Sequence, residues 1–194
     1  MLKRNLYKGL IIVIGAIVLL LWFSGWLNLW INGIGVIAND IEGYELNSYP
    51  IDGEYSLKLD LSDFESNEGI VLYDDGENQI YVNKVWGNDN SDYQVSFRSS
   101  GTYNLRGATL VSGNEHKRVE NGFTYDNQVD ATATYQGSNF NIYSSGSSGL
   151  NYKDGDSFGF YLFPHDKEVG LDIKKESIIE VKFSNLHMHK WEKK

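Results

Sequence analysis

The chain reads as a single N-terminal transmembrane helix followed by an all-β domain, an antiparallel β-sandwich of jelly-roll or immunoglobulin-like kind. Three observations carry that expectation. Residues 9–38 contain no charged side chain. Beyond residue 50 the apolar positions recur with a period of two, as half-buried strands require. The strand-like runs are separated by Gly-, Asn-, Asp- and Ser-rich clusters about 8–15 residues apart, the rhythm of sandwiches and jelly rolls. The expected organisation is a basic cytoplasmic tail at 1–8, a transmembrane helix at 9–31, a linker at 32–50 and an extracytoplasmic β-sandwich domain at 51–194.

Residues 10–30, LIIVIGAIVLLLWFSGWLNLW, are long enough to cross hydrocarbon as a helix, which takes about 20 apolar residues. Ser24 and Asn28 are the only polar interruptions. Trp22, Trp26 and Trp30 follow at i, i+4 and i+8 and share one helical face; indole rings favour the headgroup layer. No polar face exists in the first half, as a soluble core helix would need. Lys3, Arg4 and Lys8 precede the run, and the first acid after it is Asp40. The positive-inside rule then keeps the N-terminus in the cytoplasm and places the C-terminal bulk outside the cell membrane. A cleaved signal peptide would carry small residues soon after its apolar core. Bulky Trp22, Phe23, Trp26, Leu27 and Trp30 stand there instead, and Val36, Ile37 and Ala38 offer a cleavage site only far downstream. An uncleaved signal-anchor is the expectation.

The overall charge of −9 conceals an asymmetry. Residues 1–38 hold three of the 17 basic residues and none of the 26 acids, which leaves the outer part at −12. So acidic a domain is a poor partner for nucleic acid or anionic lipid. Cysteine is absent, so the core alone must hold the domain. No Asn begins an Asn-x-Ser/Thr acceptor, which with the Lys-, Asn- and Asp-rich composition points to a bacterial cell envelope.

In order along the outer part, residues 31–38 read as a loosely structured exit, and residues 39–50 as a linker or an edge strand, because Pro50 lacks a ladder donor. Tyr55, Leu57, Leu59 and Leu61 alternate with polar residues. Runs at 70–73 and 79–86 flank the turn 74–78, a hairpin with Gly76 in its loop. Tyr93, Val95 and Phe97 alternate next, and 103–111 is a weaker run broken by Gly107. Phe123 and Tyr125 start another strand. Val129, Ala131, Ala133 and Tyr135 alternate, Phe140 to Ile142 is short, and Phe158, Phe160 and Leu162 alternate with Gly159, Tyr161 and Phe163. Ile179, Val181 and Phe183 end the series, with 186–191 extending or fraying it. The serine- and glycine-rich stretch 144–149 reads as a mobile loop, and 166–176 as the one place for a helical turn.

The catalytic patterns sought are absent from the sequence: no Gly-x-Ser-x-Gly elbow, no His-Glu-x-x-His, no phosphate-cradling loop, no thiol. Glu180, inside the last confident strand, has the phase of a solvent-facing residue. No enzyme is expected, and no cofactor. His187 and His189 share one face of an extended segment and could hold a metal if His116 or His165 came near; a frayed polar terminus is the simpler reading. Asp89, Asn90 and Asp92 in one loop, and Asp154 and Asp156 in another, supply oxygens of the kind Ca²⁺ takes, although Asx-rich turns account for both loops without metal. The aromatics are more suggestive. Tyr81 is out of phase with Ile80 and Val82, and Tyr161 with Phe160 and Leu162, so both should face away from the core; Trp86 is the further candidate ligand-binding aromatic of the domain. Outward aromatics offer platforms for sugar rings or a partner's side chains. The expected function is therefore a non-catalytic, membrane-tethered recognition domain for envelope glycan or a protein partner, or alternatively an accessory subunit of an envelope membrane complex.

Overall fold

The computed structural model describes residues 2–87, 92–163 and 173–194, with side chains from residue 7 onward. Strands make up 51 % of the chain and pair antiparallel in several sheets, so the fold is mostly β and consistent with an all-β sandwich. Two of those sheets enclose the main core. One consists of β11 (Ser138–Asn141), β10 (Asp130–Tyr135), β14 (Ile178–Ser184) and β2 (Glu54–Asp60) in that order. The other runs β12 (Tyr143–Ser147), β13 (Ser157–Tyr161), β5 (Gln94–Ser100), β4 (Gln79–Trp86), β3 (Val71–Asp74). Leu57, Leu59, Ala133, Val181 and Phe183 from the first meet Ile80, Val82, Val95, Phe97, Phe158 and Phe160 from the second in one buried cluster. Phe183 bridges the layers, its ring centroid 5.0 Å from Phe97 and 5.3 Å from Phe160. The period-two phases hold: Ala131 and Phe160 are buried, while Thr132 is exposed and Tyr161 lies on the outer side of its strand.

The β-domain is more than two sheets. A third sheet, β1 (Tyr44–Pro50), β15 (His187–Lys193), β7 (Gly107–Ser112) and β6 (Thr102–Asn104), packs with the hairpin β8 (Asn114–Val119)–β9 (Gly122–Asn127). Here several expectations change. Residues 186–191 do not fray: β15 lies between two partners, because His187, His189 and Trp191 alternate inward. Residues 44–50, read as either linker or edge strand, take the second form and end at Pro50. The stretch 144–149 is no loose loop, since most of it belongs to β12, an edge strand bulged between Ser144 and Gly146. The helical turn expected over 166–176 lies largely outside the described residues.

The N-terminal segment departs most from expectation. It is not one straight helix but α1 (Leu2–Phe23), α2 (Trp26–Asn32) and α3 (Ile34–Asn39). Ser24 bonds back to the Leu21 carbonyl and Gly25 adopts φ 77°, a left-handed conformation that suits glycine; a Ser–Gly pair is a common cause of a sharp kink. The two helices are bent by 72°. No single helix among the described residues is long and apolar enough to cross a membrane; Tyr7–Phe23 and Trp26–Asn32 reach that only as a bent pair. Residues 31–38 are not loose either. Leu29, Ile34, Ile37 and Ala38 are buried with Tyr44, Ala108, Leu110 and Trp191 in a second core.

Candidate functional site

The aromatic residues singled out above come together on the outer face of the five-stranded sheet. Directly opposed residues of an antiparallel pair project to the same side. Trp86 opposes Gln94, Gln94 opposes Tyr161, and Tyr161 opposes Tyr143. One row therefore crosses β4, β5, β13 and β12 as Trp86–Gln94–Tyr161–Tyr143. Two strand spacings separate Trp86 from Tyr161, about 9.5 Å. Trp86 is 36 % and Tyr143 57 % exposed, and Tyr161 is half-buried. The sequence offered no means of finding Tyr143, because it stands just before the serine-rich stretch 144–149 taken for a loop.

Four residues along β5, about 13 Å away, a second outward row contains Tyr81, Arg98 and Ser157. The Arg98 guanidinium lies 4.2 Å from the Tyr152 ring centroid and 6.0 Å from that of Tyr81. Its Nη2 donates to Asp154 Oδ1 at 2.7 Å. Between the rows stand Lys84, Ser96, Gly159 and Gly146, so the two central strands present a low floor. At Gly159 a Cβ would lie 2.9 Å from Ser145 Oγ and the Val95 carbonyl, too close for any side chain. Beside Tyr143 a groove of about 360 Å³ opens along the seam between the two main sheets, lined by Asp130, Thr132, Asn141 and Ser144 among others.

Asp154 and Asp156, two of the four carboxylates proposed for calcium, have other partners. Asp154 is held by Arg98. Asp156 is fully buried and accepts from Ser112 Oγ at 2.8 Å, Asn114 Nδ2 at 3.0 Å and His116 Nε2 at 2.7 Å. The buried carboxylate accepts the Nε2 hydrogen of the imidazole and so holds the ring in place. Asp92 is half-buried two residues before β5, and Asp89 lies outside the described residues.

His116 does come near His189, ring centroids 4.9 Å apart, but the nitrogens do not converge. His189 Nε2 donates to the Asn114 carbonyl and Nδ1 accepts from Ser48 Oγ, both at 2.8 Å. Burial, and next the neighbouring His116, push the His189 pKa down to about 3, so the ring is neutral. Among the described residues no group of three or more His, Asp or Glu is placed to hold a metal ion. Glu180 stands opposite Lys58 and Thr134 on the outer side of β14, an opposite-charge cross-strand pair. The buried cluster of Asp156, Asn114, His116 and His189 stitches β8, β15 and the 150–156 loop together; sequence reading missed it because Asp154, Gly155 and Asp156 look like any polar turn. The chain matches no protein-family model, no curated protein and no solved structure.

Proposed function

We propose that this protein is a membrane-tethered, non-catalytic recognition domain that binds glycan of the cell envelope on the outer face of its five-stranded sheet. The observation that carries the reading is the cross-strand row Trp86–Gln94–Tyr161–Tyr143. Sugar rings have an apolar face and a rim of hydroxyls. Aromatic rings set across neighbouring strands stack on the first, and the intervening Gln94 amide, with Asn141, Asp130 and Thr132 in the adjoining groove, bonds the second.

The tether is α1. From Leu10 to Phe23 its large apolar side chains project outward, with Ile11, Ile12, Leu20 and Phe23 between 68 % and 83 % exposed. Tyr7–Phe23 spans about 25 Å, most of the hydrocarbon thickness of about 30 Å. With Lys8 preceding it and the acidic domain following, the positive-inside rule orients the domain outward. Val36, Ile37 and Ala38 lie in buried α3, so cleavage there would remove part of the second core; this favours a retained anchor.

Isothermal titration of the full chain in detergent with soluble oligosaccharides from cell-wall digests tests the reading. Binding should be lost or weakened at least tenfold in Trp86→Ala and Tyr161→Ala, both on the outer side, while folding is kept. Unchanged binding in both variants would overturn it.

A further inference from the structure

The break after α1 leaves α2 at 72° to it, with two dissimilar sides. Leu29 is buried against the β-domain. Trp26 and Trp30, one turn apart, are 47 % and 59 % exposed and continue around the helix to Leu27 and Ile31, which share a cleft with Trp22 and Phe23 across the bend. Asn28 and Asn32 occupy the opposite side, where their side chains bond each other at 2.7 Å. The last turn is fastened to the domain by Lys153. Its carbonyl accepts from Ile34 N at 2.7 Å, its Nζ donates to the Trp30 carbonyl at 3.2 Å, and that ammonium lies 5.4 Å from the Trp30 ring centroid. Gly33, at φ 68°, is packed so closely on Lys153 that a Cβ would clash with its backbone.

We infer that α2 lies in the headgroup layer of the membrane that α1 enters, and that its docking on the second core fixes how the β-domain stands on that membrane. The inference rests on α1 being the anchor. If α1 runs near the membrane normal, a 72° bend lays α2 close to the membrane plane. Tryptophan and phenylalanine are the side chains that suit this layer, and Lys153 brings a cation to phosphate level beside them. A continuous straight helix would have carried Trp30 well beyond Trp22 along the normal. The bend keeps all three indoles at one depth. The domain is therefore seated rather than dangling. Tyr152, adjacent to Lys153 and stacked on Arg98, puts the Arg98 row of the aromatic face on the membrane side, with the Trp86–Tyr143 row beyond it.

The chain has no cysteine, so single cysteines at Ile17, Leu27, Ile31 and Thr124 can each carry a spin label in the full chain, reconstituted in vesicles of mixed zwitterionic and anionic phospholipid. Power saturation against oxygen and a water-soluble nickel chelate then reads depth, with every tryptophan left in place. The label at 17 should be deep in hydrocarbon, those at 27 and 31 shallow and at equal depth, and that at 124 in water. Labels at 27 and 31 differing by about 6 Å, as four residues of a membrane-normal helix would, overturn the inference, as do labels there in open water. Labels shielded from both reagents overturn it in favour of a protein partner. A label at 17 outside hydrocarbon would instead refute the anchor itself. Quenching of the native tryptophans by lipids brominated near the carbonyl or at the chain end gives a second reading that needs no substitution at 27 or 31. Stronger quenching by the shallow bromine is expected, and stronger quenching by the deep one contradicts it.

Discussion

Removing the segment before Asn39 should unfold the β-domain, although none of those residues belongs to a strand. Leu29, Ile34 and Ile37 are all but inaccessible, and they close the second core over Tyr44, Leu110 and Trp191. Burial of one such side chain contributes about 1.5–3 kcal/mol, so the three together contribute about 5–9 kcal/mol. A domain of this size has a total stability of about 5–15 kcal/mol, and the loss would take most of it. The assay is urea unfolding followed by far-ultraviolet circular dichroism on two soluble chains, one beginning at Gly25 and one at Asn39. The longer should unfold cooperatively, and the shorter should be largely unfolded or lose most of its midpoint. In the full chain Ile37→Ala alone should cost about 2–5 kcal/mol. Equal midpoints for the two soluble chains would refute the account of the second core and reopen cleavage after Ala38.

Three further outcomes follow from the packing. Phe160→Ala should cost about 3–5 kcal/mol, since the ring packs on Phe158 and Phe183 inside the main core, whereas Tyr161→Ala should cost about 1 kcal/mol or less; chemical denaturation of both variants checks the pair. Asp156→Ala leaves His116, Asn114 and Ser112 without their buried acceptor and should cost about 3–5 kcal/mol, read as a shift in melting temperature against Asp154→Ala, whose half-exposed ion pair should matter little. His189 titrates near its ordinary value of 6.5 when unfolded but only near 3 when folded. The unfolded chain therefore binds the extra proton between those values. This contribution is complete above about pH 6.5 and falls with decreasing pH by about 1.4 kcal/mol per unit. His189→Gln should flatten the slope between pH 6 and 4, and an unchanged slope would contradict the assignment.

What the sequence made legible was the part in which one face of a strand is plainly apolar. Phe158, Phe160 and Leu162, or Val129, Ala131 and Ala133, announce their phase because a one-residue slip would expose the whole set. The same rule fails for β15, whose inward residues are His187, His189 and Trp191. Imidazoles count as polar until a fold supplies Ser48 and the Asn114 carbonyl to satisfy them. It fails for β12, where serines on an edge strand carry no period at all. Residues 31–38 looked loose because two glycines suggested a chain exit, whereas Gly33 serves a close approach to Lys153. The outward Tyr81 and Tyr161 were readable one strand at a time, whereas Trp86, in phase with Ile80 and Val82, faces out only because β4 bulges between Val82 and Lys84. Their alignment with Gln94 and Tyr143 was not readable, because it depends on strand order and register, which local sequence does not encode.

The most direct measurement on the proposed recognition face is a two-dimensional amide and indole NMR titration of the isotopically labelled chain beginning at Gly25 with soluble cell-wall oligosaccharides. Shift changes should cluster at the Trp86 indole N–H, the Gln94 side-chain amide and the backbone of Tyr143, Gly159 and Tyr161, and should be abolished by Trp86→Ala. Changes confined to other surfaces, or none at saturating ligand, would contradict it.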